Sequence, residues 1–257
     1  MRLEWLRLMA LTAVRQRSRH RHFHFRFRPG PGGSLRARIT PRRGAAAATV
    51  ELRPGTSDRR VFQQMFLEDE FWLLDLARWP ELETAPAPLL LDLGANIGLA
   101  SLALHFQLPR ARILAVEPDP ANYAQLCRNA AAVTAIVPVH AAVAPRDGWV
   151  RIANPHGATA GFRTAPVAEG CPAAIAARSM ESLCAGEPPL IVKMDIEGAE
   201  RDLFSGDCAW LARTRLLIVE PHDWALPGQG ISRGLLAALA ARGGDIIVRG
   251  EHLLCWR

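Results

Sequence analysis

The chain has 257 residues, 31 Lys and Arg against 25 Asp and Glu (net charge +6), 49% hydrophobic and 22% charged residues, the balance of a soluble globular protein with one core, some additions and hardly room for two full domains. The arginines crowd into the first sixty residues, among them Arg15, Arg17, Arg19, Arg21, Arg26, Arg28, Arg36, Arg38, Arg42 and Arg43, and the remainder is near balance, so a specific nucleic-acid partner is not expected. Residues 8–14 are apolar but too few to span a membrane, and arginines follow them where a leader would need a small-residue cleavage site; Cys127, Cys171, Cys184, Cys208 and Cys255 lack metal-type spacing and read as reduced thiols of a cytoplasmic protein.

In chain order, residues 1–14 read as a helix and 15–22 as a basic run. Phe23-His24-Phe25-Arg26-Phe27-Arg28 alternates with the period of a half-buried strand. Residues 35–39 and 49–52 are further strands, giving a small antiparallel ribbon. Thr56-Ser57-Asp58 starts a helix with Val61, Phe62, Met65 and Phe66 on its apolar face, so residues 53–79 read as one or two helices. Pro80, Pro86 and Pro88 mark the passage into a second region. Residues 1–80 are thus expected as an N-terminal strand and helix extension, and 81–257 as the main domain.

That domain is organised around Leu89-Leu90-Leu91-Asp92-Leu93-Gly94-Ala95-Asn96-Ile97-Gly98-Leu99, a strand buried on both faces, a glycine turn and a helix start. In an open parallel sheet this first turn is where backbone N–H groups and a helix N-terminus face a ligand. A second strand over 113–116 ends at Glu117-Pro118, and Asp119-Pro120 caps a helix whose inner stripe is Tyr123, Leu126, Cys127 and Ala130. The third strand, 136–143, contains Pro138 and belongs at a sheet edge. Residues 149–152 form a short returning strand, and 154–172 a long Gly/Ala/Pro-rich loop with the length of a substrate loop or lid. Strands at 190–194 and 216–219, a helix around Leu235, Leu236 and Leu239, and a hairpin of 245–248 with 253–256 complete the chain. Alternating strands and helices imply a doubly wound α/β sheet.

The turn lacks the middle glycine of a dinucleotide fingerprint, and no Lys-Ser or Lys-Thr follows it as in a phosphate loop. What remains is Asp92 ahead of the turn Gly94, Ala95, Asn96, Ile97 and Gly98, and Glu117 at the end of the next strand, where a carboxylate meets ribose hydroxyls. A ribose-bearing cofactor with an amino-acid end and no phosphate fits this set, and S-adenosylmethionine is that molecule.

Leu91-Asp92-Leu93-Gly94-Ala95-Asn96-Ile97-Gly98, Val116-Glu117-Pro118, Lys193-Met194-Asp195-Ile196-Glu197-Gly198-Ala199-Glu200 and Val219-Glu220-Pro221-His222-Asp223 resemble the successive motifs of FkbM-type methyltransferases, and Arg53-Pro54-Gly55-Thr56-Ser57-Asp58 resembles the segment preceding their catalytic domain. Pro221 stands where members often carry an aliphatic residue. The resemblance implies a class I methyltransferase fold, a mostly parallel seven-stranded sheet with an antiparallel last strand, and methyl transfer to an oxygen of a small-molecule or sugar-like acceptor.

Ligands of open sheets sit beyond the carboxyl ends of the strands, so Asp195, Glu197, Glu220, His222 and Asp223 should face the methyl group. His222 has the most suitable ordinary pKa for a general base, with Asp195 orienting it or taking the proton itself. Lys193 is either part of this catalytic group or the structural partner of a carboxylate. Asp195, Glu220 and His222 offer oxygen and nitrogen to a cation, but no metal-type spacing supports one and no metal is expected. The competing readings are a nicotinamide-dependent oxidoreductase, disfavoured by the missing glycine, and a non-catalytic binding protein that uses its basic arm.

Overall fold

The computed structural model describes residues 3–16, 22–42, 44–68, 70, 73, 87–153 and 164–257. Residues 17–21 of the basic run, the passage through Pro80 and Pro86, and residues 154–163 of the long loop lie outside these. Helix α1 (Leu3–Gln16) precedes three antiparallel strands, β1 (Phe23–Pro29), β2 (Leu35–Pro41) and β3 (Ala48–Leu52). Alternation in β1 and β2 turns Phe23, Phe25, Leu35, Ala37 and Ile39 inward and exposes Arg26, Arg28, Arg36 and Arg38. The arginines therefore form a solvated face of a small sheet. Helix α2 (Asp58–Phe66) follows and buries Phe62, Met65 and Phe66.

The main sheet begins with β4 (Leu89–Leu93), which leads through the glycine turn to α3 (Leu99–Gln107). Then come β5 (Arg112–Glu117), α4 (Pro120–Ala130) and β6 (Ile136–His140). Asp119 caps α4 by accepting the Asn122 N–H at 2.7 Å, with Pro120 in the first turn. A second small sheet interrupts the pattern, built from β7 (Ala142–Val143), β8 (Gly148–Ile152), β9 (Thr164–Pro166) and β10 (Ile175–Arg178). Helix α5 (Met180–Cys184) leads to β11 (Ile191–Met194), followed by α6 (Glu200–Leu203), α7 (Ala209–Arg213), β12 (Leu216–Val219), α8 (Arg233–Arg242), β13 (Asp245–Arg249) and β14 (His252–Trp256).

The seven strands are ordered β13-β14-β12-β11-β4-β5-β6, a mixed α/β sheet in which β14 runs antiparallel between β12 and β13. Strand β4 lies inside the sheet between β11 and β5 with both faces covered, which is why all five of its residues are buried. Its side chains alternate between two cores. Leu90 joins Ile113, Ile191 and Ile218 on the face covered by α3, α4 and the N-terminal sheet, and Leu89, Leu91 and Leu93 join Val192, Met194, Leu217 and Val219 on the face covered by α5 to α8. The first core runs without interruption into Phe23, Phe25, Leu52 and Phe62, so the N-terminal elements share the interior of the main sheet. Pro138 sits in β6, at the sheet edge, where its missing N–H costs no ladder bond. No helix among the described residues is long and apolar enough to cross a membrane.

Three expectations need correction. The third strand ends at His140 rather than at residue 143, because Ala142 and Val143 pair with β10 in the second sheet. Residues 164–166 of the expected long loop form β9, and β10 and α5 carry no sequence period that announced them. The inward face of α4 is Asn122, Gln125, Leu126, Asn129 and Ala130, whereas Tyr123 and Cys127 are only half-buried. The amides turn inward because the backbone of β3 needs partners. Asn129 accepts the Glu51 N–H at 2.8 Å and donates to Ile97 O at 2.9 Å, while Gln125 donates to Glu51 O at 3.0 Å.

Candidate active site

The glycine turn lies at the carboxyl end of β4, with Gly94, Asn96 and Gly98 at φ +76°, +51° and +84°. A Cβ on Gly94 would stand 1.8 Å from the carbonyl oxygen of Asp195, so this turn and the loop after β11 touch along bare backbone. The Gly94 and Ala95 N–H groups both donate to Val116 O, at 3.0 and 2.9 Å, and the Asn96 N–H donates to Glu117 Oε2 at 2.7 Å. These donors were expected to face a ligand; the structure commits them to β5 instead. The turn therefore offers a close backbone surface and the Glu117 carboxylate rather than an N–H cradle for phosphate.

Asp92 lies beneath the turn, fully buried and away from the cleft walls. Its carboxylate accepts the Ser101 hydroxyl at 2.5 Å and pairs with Lys193 Nζ at 3.2 Å, and Lys193 donates to Gly94 O at 2.8 Å. Burial alone would lower the Lys193 pKa, but Asp92 and Asp195 outweigh it and hold the ammonium charged. Lys193 is thus a fixed cation tying β4, the turn and β11 together.

Glu117 closes the other side of the turn. Its second oxygen accepts the Asp119 N–H at 2.9 Å, yet burial raises its pKa from 4.5 to about 7. It lines a cleft of about 590 Å³ together with Asn96, Val116, Pro118, Asn122, Ala142, Val143, Asp195 and Glu197. A second cleft of about 1040 Å³ runs between α2 and the carboxyl ends of β11 and β12, walled by Arg60, Gln64, Lys193, Glu220, His222, Glu251 and His252. The two clefts share Gly94, Asn96, Asp195 and Glu197.

The loop that divides them is braced from behind. Glu200 accepts the Ile196 N–H at 3.0 Å and the Gly198 N–H at 2.7 Å, and its Oε1 lies 3.0 Å from Nδ1 of His222. Glu197 is held at φ +58°, a conformation that side chains other than glycine adopt at a cost of order 1–3 kcal/mol. Nε2 of His222 lies 3.5 Å from Asp195 Oδ1, 3.4 Å from Glu197 Oε2 and 3.8 Å from Glu220 Oε1. Burial works against charge on His222, but its bond to Glu200 and the surrounding acids prevail and raise its pKa to about 9. The ordinary imidazole pKa expected from sequence is therefore corrected. Glu197 is raised to about 8, chiefly by burial and then by Asp195, and Glu220 is raised for the same reasons. Asp223 stands apart, accepting the Ser232 N–H at 3.1 Å.

The profile of the FkbM methyltransferase domain matches residues 92–243. The chain belongs to the FkbM methyltransferase family. A methyltransferase from Sordaria araneosa, sdnD, is 48% identical over 71 residues, 28% of this chain and 24% of that protein, so the match spans about a quarter of the relative's length. Among solved structures, a precorrin-6y C5,15-methyltransferase from Geobacter metallireducens aligns at 13% identity over 73% of this chain and 87% of its own, with a TM-score of 0.41. Aeropyrum pernix fibrillarin in complex with S-adenosyl-L-methionine aligns at 14% identity over 91% and 95%, also with a TM-score of 0.41. The first cleft has the features that S-adenosylmethionine requires: side-chain-free approach at Gly94, an acceptor carboxylate at Glu117 and an apolar wall from Val116, Ala142 and Val143.

The FkbM match ends before His252 and begins after Glu70 and Arg60, so part of the second cleft's wall lies outside the matched residues. Sequence reading missed Glu70, Glu200, Glu251 and His252 as members of this neighbourhood. Glu200 had a signal, since it closes the Asp195–Glu200 run; Glu70 and His252 are 182 positions apart and had none.

Proposed function

We propose that the chain methylates a hydroxyl of a small, polar, sugar-like molecule, with the donor in the first cleft and the acceptor in the second. The observation that carries this reading is that the two clefts adjoin, with Gly94, Asn96, Asp195 and Glu197 lining both. S-adenosylmethionine supplies an electrophilic methyl group when bound. Glu117 holds the donor by accepting its ribose hydroxyls, and Gly94, Ala95, Asn96 and Gly98 give it a close floor. Asp92 contributes through Lys193, which keeps the turn in place.

The acceptor hydroxyl is oriented by hydrogen bonds to Asp195 and Glu220, one of which takes its proton, since His222 and Glu197, with pKa raised to about 9 and about 8, already hold theirs at neutral pH. Holding the oxygen at attack distance is the larger part of the catalysis. In this reading residues 1–80 are an extension that covers the acceptor cleft through α2, and residues 81–257 are the catalytic domain. The engaged N–H groups of the turn weigh against the nicotinamide dinucleotide alternative, which needs a pyrophosphate there.

The test is calorimetry with S-adenosylhomocysteine, followed by labelled-methyl transfer over a panel of hydroxylated small molecules. Saturable binding and label on an oxygen are expected. Absence of binding overturns the donor site, and label on nitrogen or carbon overturns the acceptor class.

A further inference from the structure

His222 and His252 are held alike. Each has Nδ1 3.0 Å from a buried carboxylate oxygen, Glu200 for His222 and Glu70 for His252, and each turns Nε2 toward the acids of the second cleft. A carboxylate behind Nδ1 fixes the ring and presents Nε2 as a donor atom, the arrangement that stands behind metal-bound imidazoles. Asp195 Oδ1 and Glu197 Oε2 lie 3.5 and 3.4 Å from Nε2 of His222, and Glu220 Oε2 lies 3.9 Å from Nε2 of His252. Such spacings are long for N–H···O hydrogen bonds. They suit donor atoms around one ion, since bonds of about 2.1 Å set tetrahedral ligands about 3.4 Å apart.

Two sets, Asp195 with Glu197 and His222, and Asp195 with Glu220 and His252, each bring one donor atom per residue within 4.8 Å of the others. The nearby cations are already engaged: Lys193 is divided among Asp92, Asp195 and Gly94 O, and Arg60 pairs with Glu251. We propose that Asp195, Glu197 and His222 bind a divalent first-row transition metal ion, with Glu220 and His252 forming the adjoining wall of the same site.

A set of imidazole and carboxylate donors selects Zn²⁺, Mn²⁺, Fe²⁺ or Co²⁺ over the all-oxygen preference of Ca²⁺ and Mg²⁺. The remaining coordination positions face the open second cleft and take water or an oxygen of the acceptor. Binding of the ion is independent of methyl transfer; only the acceptor's role as a ligand rests on the function proposed above.

The experiment titrates the chelator-treated full chain with Co²⁺, followed by visible ligand-field absorption, and with Mn²⁺, followed by loss of its free-ion paramagnetic resonance. Saturable signals are expected, weakened at least about tenfold in Glu197→Gln and in His222→Gln, with a smaller loss in Glu70→Gln, which acts through the imidazole behind the site. Glu197 is partly exposed, so Glu197→Gln decides the matter if His222→Gln does not fold. Absence of ligand-field bands, or unchanged Co²⁺ affinity in Glu197→Gln, overturns the metal site. S-adenosylhomocysteine calorimetry on the same sample separates the two readings: nucleoside binding without Co²⁺ binding sinks the metal site alone, and the reverse sinks the donor site alone.

Discussion

The two clefts are walled by the same sheet edge yet built in different ways. The first cleft, proposed to hold the donor, is made largely of short runs, residues 94–96, 116–118, 141–143 and 195–199, and its polar groups are held by backbone and one buried cation: Glu117 by two N–H groups, Gly94 by Val116 O and the Lys193 ammonium. The acceptor cleft is assembled from α2, the ends of β11 and β12, and the turn before β14, and its polar groups meet across 180 residues or more, as in Glu70 with His252 and Arg60 with Glu251. A site fixed by backbone tolerates little change and suits a constant ligand. One fixed by distant side chains can change without breaking the sheet.

The sharpest way to break the comparison is at Lys193. Lys193→Met leaves Asp92 buried without its cation and should destabilise the protein by about 3–5 kcal/mol in urea unfolding, with a large part restored by adding Asp92→Asn. If the single variant unfolds at the wild-type midpoint, the donor cleft is not locked as described. Gly94→Ala comes next: the new methyl meets Asp195 O at a φ that disfavours any side chain, so a loss of about 2–4 kcal/mol and of S-adenosylhomocysteine binding is expected, with the acceptor-side elements still folded by circular dichroism.

Glu117 tests chemistry rather than structure. If Glu117 accepts the ribose hydroxyls as proposed, replacing it by Ala should cost about 10–100-fold in S-adenosylhomocysteine affinity. The ionised carboxylate is the better acceptor, and burial has raised its pKa to about 7 against the N–H bonds from Asp119 and Asn96, which hold it down. Affinity should therefore fall about tenfold per unit as pH drops below 7, a slope absent in Glu117→Gln. Stability runs the other way. A pKa raised on folding gives stability that is complete below 4.5 and is lost as pH rises to about 7, so the unfolding midpoint should decline across that window in the wild type and less in Glu117→Gln.

What could be read from sequence follows the same division. Strands β4, β5, β11 and β12, the Asp119-Pro120 cap and the edge position of Pro138 were legible because period, capping and the missing proline N–H are local facts. The inward amides of α4 were not, since Gln125 and Asn129 turn in to satisfy the backbone of β3, a partner more than seventy residues away. Strand β10 is four residues containing two alanines, and it exists because β7 and β8 offer it edges. Glu117, Asp195 and Glu197 were legible as cleft residues from their positions at or just after strand ends, whereas Asp92, read as a cofactor contact, is buried beneath the turn, and the raised pKa of His222 depends on Glu200, Asp195 and Glu197 converging in space.

The smallest effect is expected at the rim. Arg60 and Glu251 pair at 3.3 Å with both side chains largely exposed, so Arg60→Ala should change stability by less than about 1 kcal/mol. It lies on the acceptor cleft alone, and S-adenosylhomocysteine affinity should not move. If the acceptor touches this rim, its KM should rise severalfold with kcat unchanged, because the contact is the same before and during transfer. Raising the salt concentration should mimic the substitution in the wild type and do nothing further in the variant. A change in nucleoside affinity instead would mean that the two clefts are coupled through α2, and the independence argued from their construction would fail.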